Sequence, residues 1–204
     1  MHITFGRKSR LTALGAGLIT AAAVAVSASG PALADTADTG GTASLSVPRA
    51  IVVGLAKSTI ITMAGSPASS SYLKGFDTMT MPVTGGNGEV SNFFGTVELG
   101  GSLFVINAKA GKTVKITGLE VNFFTGALTG VFPGQTQHTP LGFFGGNMST
   151  SSDPGPPATE TFSADEVDLS ARAAKALNTA LKTTVFVRGA NIGAFTTTFD
   201  VTVS

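Results

Sequence analysis

Towards its C-terminus the chain alternates almost without fault: Phe195, Thr197, Phe199, Val201 and Val203 fall on one side of an extended backbone, and Thr196, Thr198, Asp200 and Thr202 on the other. A period of two is the pattern of a strand with one buried face. A slip of one residue would turn both phenylalanines to water, so the register is tightly specified. The same alternation recurs at Ala43, Leu45 and Val47, at Met79, Met81 and Val83, at Val97 and Leu99, and at Leu103 and Val105. It returns at Val114 and Ile116 and again at Leu119, Val121 and Phe123. A chain patterned in this way folds into sheets.

The connections point to antiparallel neighbours. Gly85-Gly86-Asn87-Gly88, Gly100-Gly101, Ala110-Gly111-Lys112 and Thr125-Gly126 separate apolar runs at hairpin spacing, and glycine supplies the positive φ that tight hairpin loops demand. With 26 glycines, some must also lie inside strands. Gly118 marks the point where the inward phase passes from even positions to odd ones, as a bulge would produce.

Three segments depart from the strand pattern. Ser170 to Leu181 predicts a helix: Ser170 is a good N-cap, the alanines favour helix, and Ala173, Leu177 and Leu181, or Ala174, Leu177 and Ala180, make one apolar stripe. A shorter helical turn is expected from Pro48 to Gly54 or Lys57, although Ile51-Val52-Val53 suits a strand equally. Pro133, Pro140, Pro154, Pro156 and Pro157 punctuate a Gly/Ser/Thr-rich run, so a loop is expected near residues 133–159. Within it Leu141-Gly142-Phe143-Phe144-Gly145 reads either as a strand packed on the sheet or as an aromatic lip over a groove.

The N-terminus bounds where such a fold would work. Arg7, Lys8 and Arg10 precede an uncharged stretch from Leu11 to Ala34 that ends in Ala32-Leu33-Ala34, the pattern of an export signal cleaved after a small-x-small triplet. The alternative is a membrane anchor, but Pro31 and the polar run after Ala34 favour cleavage. Cleavage removes three of the 13 basic residues and none of the 12 acidic ones, leaving 10 against 12. No basic patch remains, and with it goes the footprint that nucleic-acid binding needs. Cysteine is absent, so an exported domain of this length relies on its core rather than on disulfides. One domain over residues 35–204 is expected, since a chain that long buries enough surface to hold together.

Chemistry-bearing residues are sparse. His2 lies in the leader, which leaves His138 as the one histidine beyond it. Zinc sites and Ser-His-Asp or Cys-His machinery need more partners than that. Asp165-Glu166-x-Asp168 is the densest acidic cluster; it reads as a calcium site or, more simply, as a solvated connection ahead of the helix. Tyr72 and His138 are of types that ligate haem iron. The plainer readings are a loop-to-strand anchor for Tyr72 and an ordinary loop residue for His138.

Certain strings carry a resemblance. They are Met81-Pro82-Val83-Thr84-Gly85-Gly86, Gly95 to Leu103, Val114 to Asn122, Thr125 to Gly130, and Leu169-Ser170 through Ala176-Leu177-Asn178 to Phe186 and Gly189-x-x-Ile192-Gly193. In this order they resemble a group of secreted actinobacterial proteins, itself similar to the HtaA-type domain of bacterial haem-uptake proteins. The resemblance spans roughly residues 42–203. It implies a strand-rich domain that carries haem at the cell surface, with Tyr72 as the approximate match to a haem-binding tyrosine. The family pattern also has a histidine in a His-x-Gly setting where this chain reads Leu99-Gly100-Gly101, and its aromatic-Arg-x-Tyr segment is replaced by the serine-rich stretch ending in Tyr72. His138 does not occupy the matching position.

The expected fold is therefore all-β, an antiparallel sandwich or partly closed barrel with one α-helix in the C-terminal region. The expected function is that of an exported, non-enzymatic binding or structural module, secreted or cell-wall associated. Its partners are expected among cell-wall or envelope components, with neither metal nor cofactor. The alternative is a haem-binding, HtaA-like surface protein using Tyr72.

Overall fold

The computed structural model describes residues 38–73 and 76–201. The leader expected over residues 1–34 and the last positions of the C-terminal alternation lie outside them. The described residues all belong to one compact unit, Leu33–Ser204. Along the chain run β1 (Asp38–Pro48), α1 (Arg49–Lys57), β2 (Ile60–Gly65), β3 (Ser69–Leu73), β4 (Phe76–Gly86), β5 (Thr96–Leu99) and β6 (Ser102–Asn107). There follow β7 (Lys112–Asn122), β8 (Ala127–Val131), β9 (Thr139–Asp153), β10 (Ala158–Leu169), α2 (Ala171–Leu181) and β11 (Ala194–Val201).

Every pairing between these strands is antiparallel. β1, β4, β5, β7, β8, β9, β10 and β11 form a ring that closes where β8 pairs with both β7 and β9. Of the sandwich and the partly closed barrel that the alternation allows, the barrel is the one realised, and it closes fully, which leaves these eight strands as a continuous wall. β11 keeps the predicted phase: Phe195, Thr197 and Phe199 are buried, and their neighbours face outward. Gly118 has φ +53° beside a register shift between Thr117 and Glu120. The phase change in the sequence is thus a bulge.

At β5 the wall forks. Along one edge of β4, β3 pairs with Phe76–Thr80 and β5 with Val83–Gly86. Along one edge of β7, β6 pairs with residues 112–116 and β5 with residues 119–122. β5 therefore joins β4 to β7 at one end of the barrel, while at the other end β3 follows β4, β6 follows β7, and β2 lies on the free edge of β6. Gly100-Gly101 sits at the branch point under the β2–β3 turn. A Cβ on Gly101, at φ +103°, would stand 2.5 Å from the Ala68 Cβ, so only glycine lets the turn seat there.

The barrel interior is filled in two parts. At the end joined by β5, Phe162 meets Phe123 and Phe144 edge-on at centroid separations of 5.4 and 5.0 Å, the offset geometry that aromatic quadrupoles favour. The 87–95 loop closes this end, with Val90 buried and its N–H donating to Glu160 Oε2 at 2.8 Å. At the forked end α2 is the plug. Ser170 Oγ accepts from the Ala173 N–H at 3.0 Å as the predicted N-cap, and Ala173, Ala174, Leu177 and Leu181 are buried.

Two expectations change. Most of the segment expected as a loop near 133–159 is the β9–β10 hairpin, in which Thr159–Ala164 pairs with Asp153–Met148. Pro154, Gly155, Pro156 and Pro157 form its turn, and Ser149–Asp153 is polar because it is exposed rather than because it lacks structure. The Leu141–Gly145 island is part of β9, with Leu141 buried and Phe144 packed on Phe162 and Phe195. Asp165, Glu166 and Asp168 lie on β10 itself, where Asn147 Nδ2 donates to Asp165 Oδ2 at 3.0 Å. At the weaker helix, Pro48 precedes the first turn and α1 runs to Lys57.

The polarity of the wall is apolar inward and largely Thr, Ser, Lys and Glu outward along β7, β10 and β11, the reverse of a lipid-embedded barrel. No helix among the described residues is long and apolar enough to cross a membrane.

Candidate functional site

The forked end leaves room that α2 does not fill. A cavity of about 100 Å³ lies beneath α1, walled by Leu45 and Val47 of β1, Met79 of β4, Leu103 and Val105 of β6, and Leu177 of α2. Its roof is Ile51 and Leu55 of α1. None of the nine residues of α1 is buried, although most of them are apolar. The helix lies on the barrel end as a cover.

Polar groups enter this lining on one side only, where the wall forks. Thr62 of β2, Ser70 of β3 and Asp77 of β4 border the cavity. Ser70 Oγ accepts from the Ala64 N–H at 3.1 Å, tying β3 to β2 across the gap. The Asp77 carboxylate has neither a hydrogen bond nor an ion pair among the described residues. Its position follows from the inward phase of β4, which carries Met79, Met81 and Val83 into the core. A carboxylate at an inward position is the sequence signal for this site, and the search for chemical motifs passes over it because it stands alone.

Tyr72 is directly paired with Asp77 in the β3–β4 ladder, as Ser70 is with Met79. Residues paired in this way share a face, so Tyr72 lies on the same face as Asp77, next beyond the residues that line the cavity. There it is 58% exposed. His138 is elsewhere: its Nδ1 stands 3.2 Å from Glu120 Oε2 and 3.2 Å from Thr129 Oγ1. Glu120 alternates with the buried Leu119 and Val121 and faces outward, so the sheet lies between His138 and the cavity. The two haem-ligand candidates are not brought together. Among the described residues no group of three or more His, Cys, Asp or Glu side chains is placed to hold a metal ion.

Haem does not fit the interior as it stands. Ordinary small-molecule pockets begin at about 300 Å³, well above the cavity measured here, and Tyr72 is on its rim with no histidine beside it.

The chain matches no family model and no curated protein. Its fold is similar to the crystal structure of the C-terminal domain of HtaA from Corynebacterium glutamicum, with a TM-score of 0.59 and 13% identity over 82% of this chain and 99% of that one. The crystal structure of the heme-binding protein HtaB from the same organism matches with a TM-score of 0.49 and 15% identity over 82% of this chain and 96% of that one. The distant HtaA-type resemblance read from the sequence is thus present in the fold.

Proposed function

We propose that the chain is an exported, non-enzymatic binding module whose ligand enters the forked end of the barrel beneath α1. The observation that carries this reading is the apolar cavity itself, enclosed by strands from around the barrel and roofed by a helix that buries none of its own residues. Of the two similar structures, one is named as a heme-binding protein and neither as an enzyme, which supports binding over catalysis. Export rests on Arg7, Lys8 and Arg10 ahead of the uncharged stretch that ends at Ala34.

Apolar cavities of comparable size stay dry and take up benzene or xenon. Benzene titrated into the purified protein is expected to shift the methyl resonances of Leu45, Leu103 and Leu177 saturably and to leave Leu119 unmoved. Uniform or absent shifts overturn the reading. Mass spectrometry of native material tests export, with an N-terminus at Asp35 expected and an intact Met1 in an intracellular pool against it.

Haem is the second reading, favoured by the exposed tyrosine at the cavity rim. Its site would be the outside of the mouth rather than the interior. A Soret band on hemin addition that is lost in Tyr72→Ala would establish it, and no band at micromolar protein would remove it.

A further inference from the structure

The polar side of the mouth indicates what kind of ligand the cavity takes. A purely apolar ligand would gain nothing from a carboxylate at the entrance, and placing a charge beside an apolar cavity without a partner is costly. The Asp77 carboxylate nevertheless occupies an inward position with no hydrogen bond or ion pair among the described residues, next to Met79 and across the ladder from Tyr72. The only contact within 4 Å between a basic side chain and a carboxylate among the described residues is that of His138 with Glu120, on the other face of the wall. Among the described residues, nothing competes for the charge and acceptor oxygens of Asp77 with a group that enters from outside.

We propose that the cavity binds an amphiphile with an unbranched aliphatic tail and a cationic or hydrogen-bond-donating headgroup, the tail lying beneath α1 and the headgroup on the Asp77 carboxylate. This rests on the binding reading above and narrows it to a ligand class. The cavity fixes the tail: about 150 Å³ encloses benzene, so a cavity of about 100 Å³ that opens at its mouth holds benzene only partly enclosed and suits a slim, unbranched group better. A short stretch of methylenes fits without rearrangement, and the rest of a longer chain runs out past Tyr72. Asp77 fixes the head. An ammonium gains a charge-assisted hydrogen bond there, a hydroxyl gains a neutral one, and a carboxylate meets like charge. Fatty acids are thereby disfavoured, which separates this site from an ordinary fatty-acid pocket.

The test uses three eight-carbon probes on the purified protein, each below its micellar concentration: n-octylamine, 1-octanol and sodium octanoate. Calorimetric titration at neutral pH is expected to rank them in that order, with the amine about tenfold or more tighter than the carboxylate. Tyr72 is the one tyrosine and the chain has no tryptophan, so tyrosine emission reports from the rim and is expected to change over the same range of amine concentration. Asp77→Asn should bring the amine and carboxylate within about threefold of each other while octanol still binds. Equal affinities in the parent protein, or an unchanged ratio in Asp77→Asn, overturn the proposal. Loss of octanol binding in Asp77→Asn also overturns it, since Asp77 would then be holding the mouth together rather than reading the headgroup. If benzene binds and the octyl series shows no preference, the cavity reading stands and the headgroup assignment alone falls.

Discussion

Tyr72 and Asp77 are paired directly across the β3–β4 ladder, on the face that carries Met79 into the barrel. The pairing sets an aromatic ring beside a carboxylate that borders an apolar cavity and has no side-chain partner among the described residues. It also separates Tyr72 from His138, which is held on the outer face by Glu120 and Thr129. Under the proposed reading, a ligand at the forked end passes Tyr72 and not the histidine.

His138→Gln is therefore expected to leave any hemin or octylamine titration unchanged. Its contact with Glu120 joins a histidine that is 39% exposed to a carboxylate on the outer surface, the class of pair worth at most about 1 kcal/mol. Urea unfolding of the variant should move by no more than that. A lost Soret band would instead place His138 at the ligand.

Phe162 is the centre of the closed end. It meets Phe123 and Phe144 at close range and Phe93 at 6.3 Å, and it is 1% exposed. Truncation to alanine removes the ring and leaves a cavity that three neighbouring rings cannot collapse into, at a cost of about 3–5 kcal/mol. Phe124, also a phenylalanine but 78% exposed, should cost less than about 0.5 kcal/mol when truncated. Denaturant midpoints of the two variants, followed by circular dichroism, check the contrast.

The strand phases, the Gly118 bulge, α2 with its Ser170 cap, and the antiparallel pairing were all legible because each rests on local patterning. The alternation says which face is buried, and glycine says where the backbone turns. Closure was not legible, because nothing local tells β8 that both its edges are taken by β7 and β9. The fork at β5 was hidden for the same reason: it depends on β3 and β6 sharing edges with β5 along β4 and β7. The polar run at 149–153 looked like a loop because composition reports solvent exposure and not hydrogen bonding, and the ladder to β10 holds it in strand form. Asp77 was visible as an inward-phase acid, but its meaning needed the cavity.

Thr197 presents an opposite case to Phe162. It is fully buried within the inward row of β11, and its Oγ1 has no hydrogen-bond partner. A buried hydroxyl left unsatisfied costs about 1–3 kcal/mol. Thr197→Val keeps the shape and the β-branching and removes the polar atom, so it is expected to stabilise the protein by about 1 kcal/mol. A raised urea midpoint with an unchanged slope is the expected result, whereas a lowered midpoint would mean that the hydroxyl is hydrogen-bonded in solution.

The cover over the cavity is testable through its own sequence. α1 places Val52, Val53 and Gly54 in the middle of a nine-residue helix, and β-branched residues and glycine are poor formers of a helix that short. A Cβ at Gly54 would meet no atom within 4 Å, so alanine adds no clash and removes unfolded-state freedom, a gain of about 0.5–1 kcal/mol. Because α1 buries none of its residues, it opens at low cost, independently of the barrel. Gly54→Ala is therefore expected to slow amide exchange across α1 by roughly threefold to fivefold while the global unfolding midpoint stays nearly fixed. Slower octylamine association should accompany it if the ligand passes beneath this helix. An unchanged exchange rate in α1 together with a shifted global midpoint would show instead that the helix unfolds only with the barrel, and that entry does not proceed by lifting it.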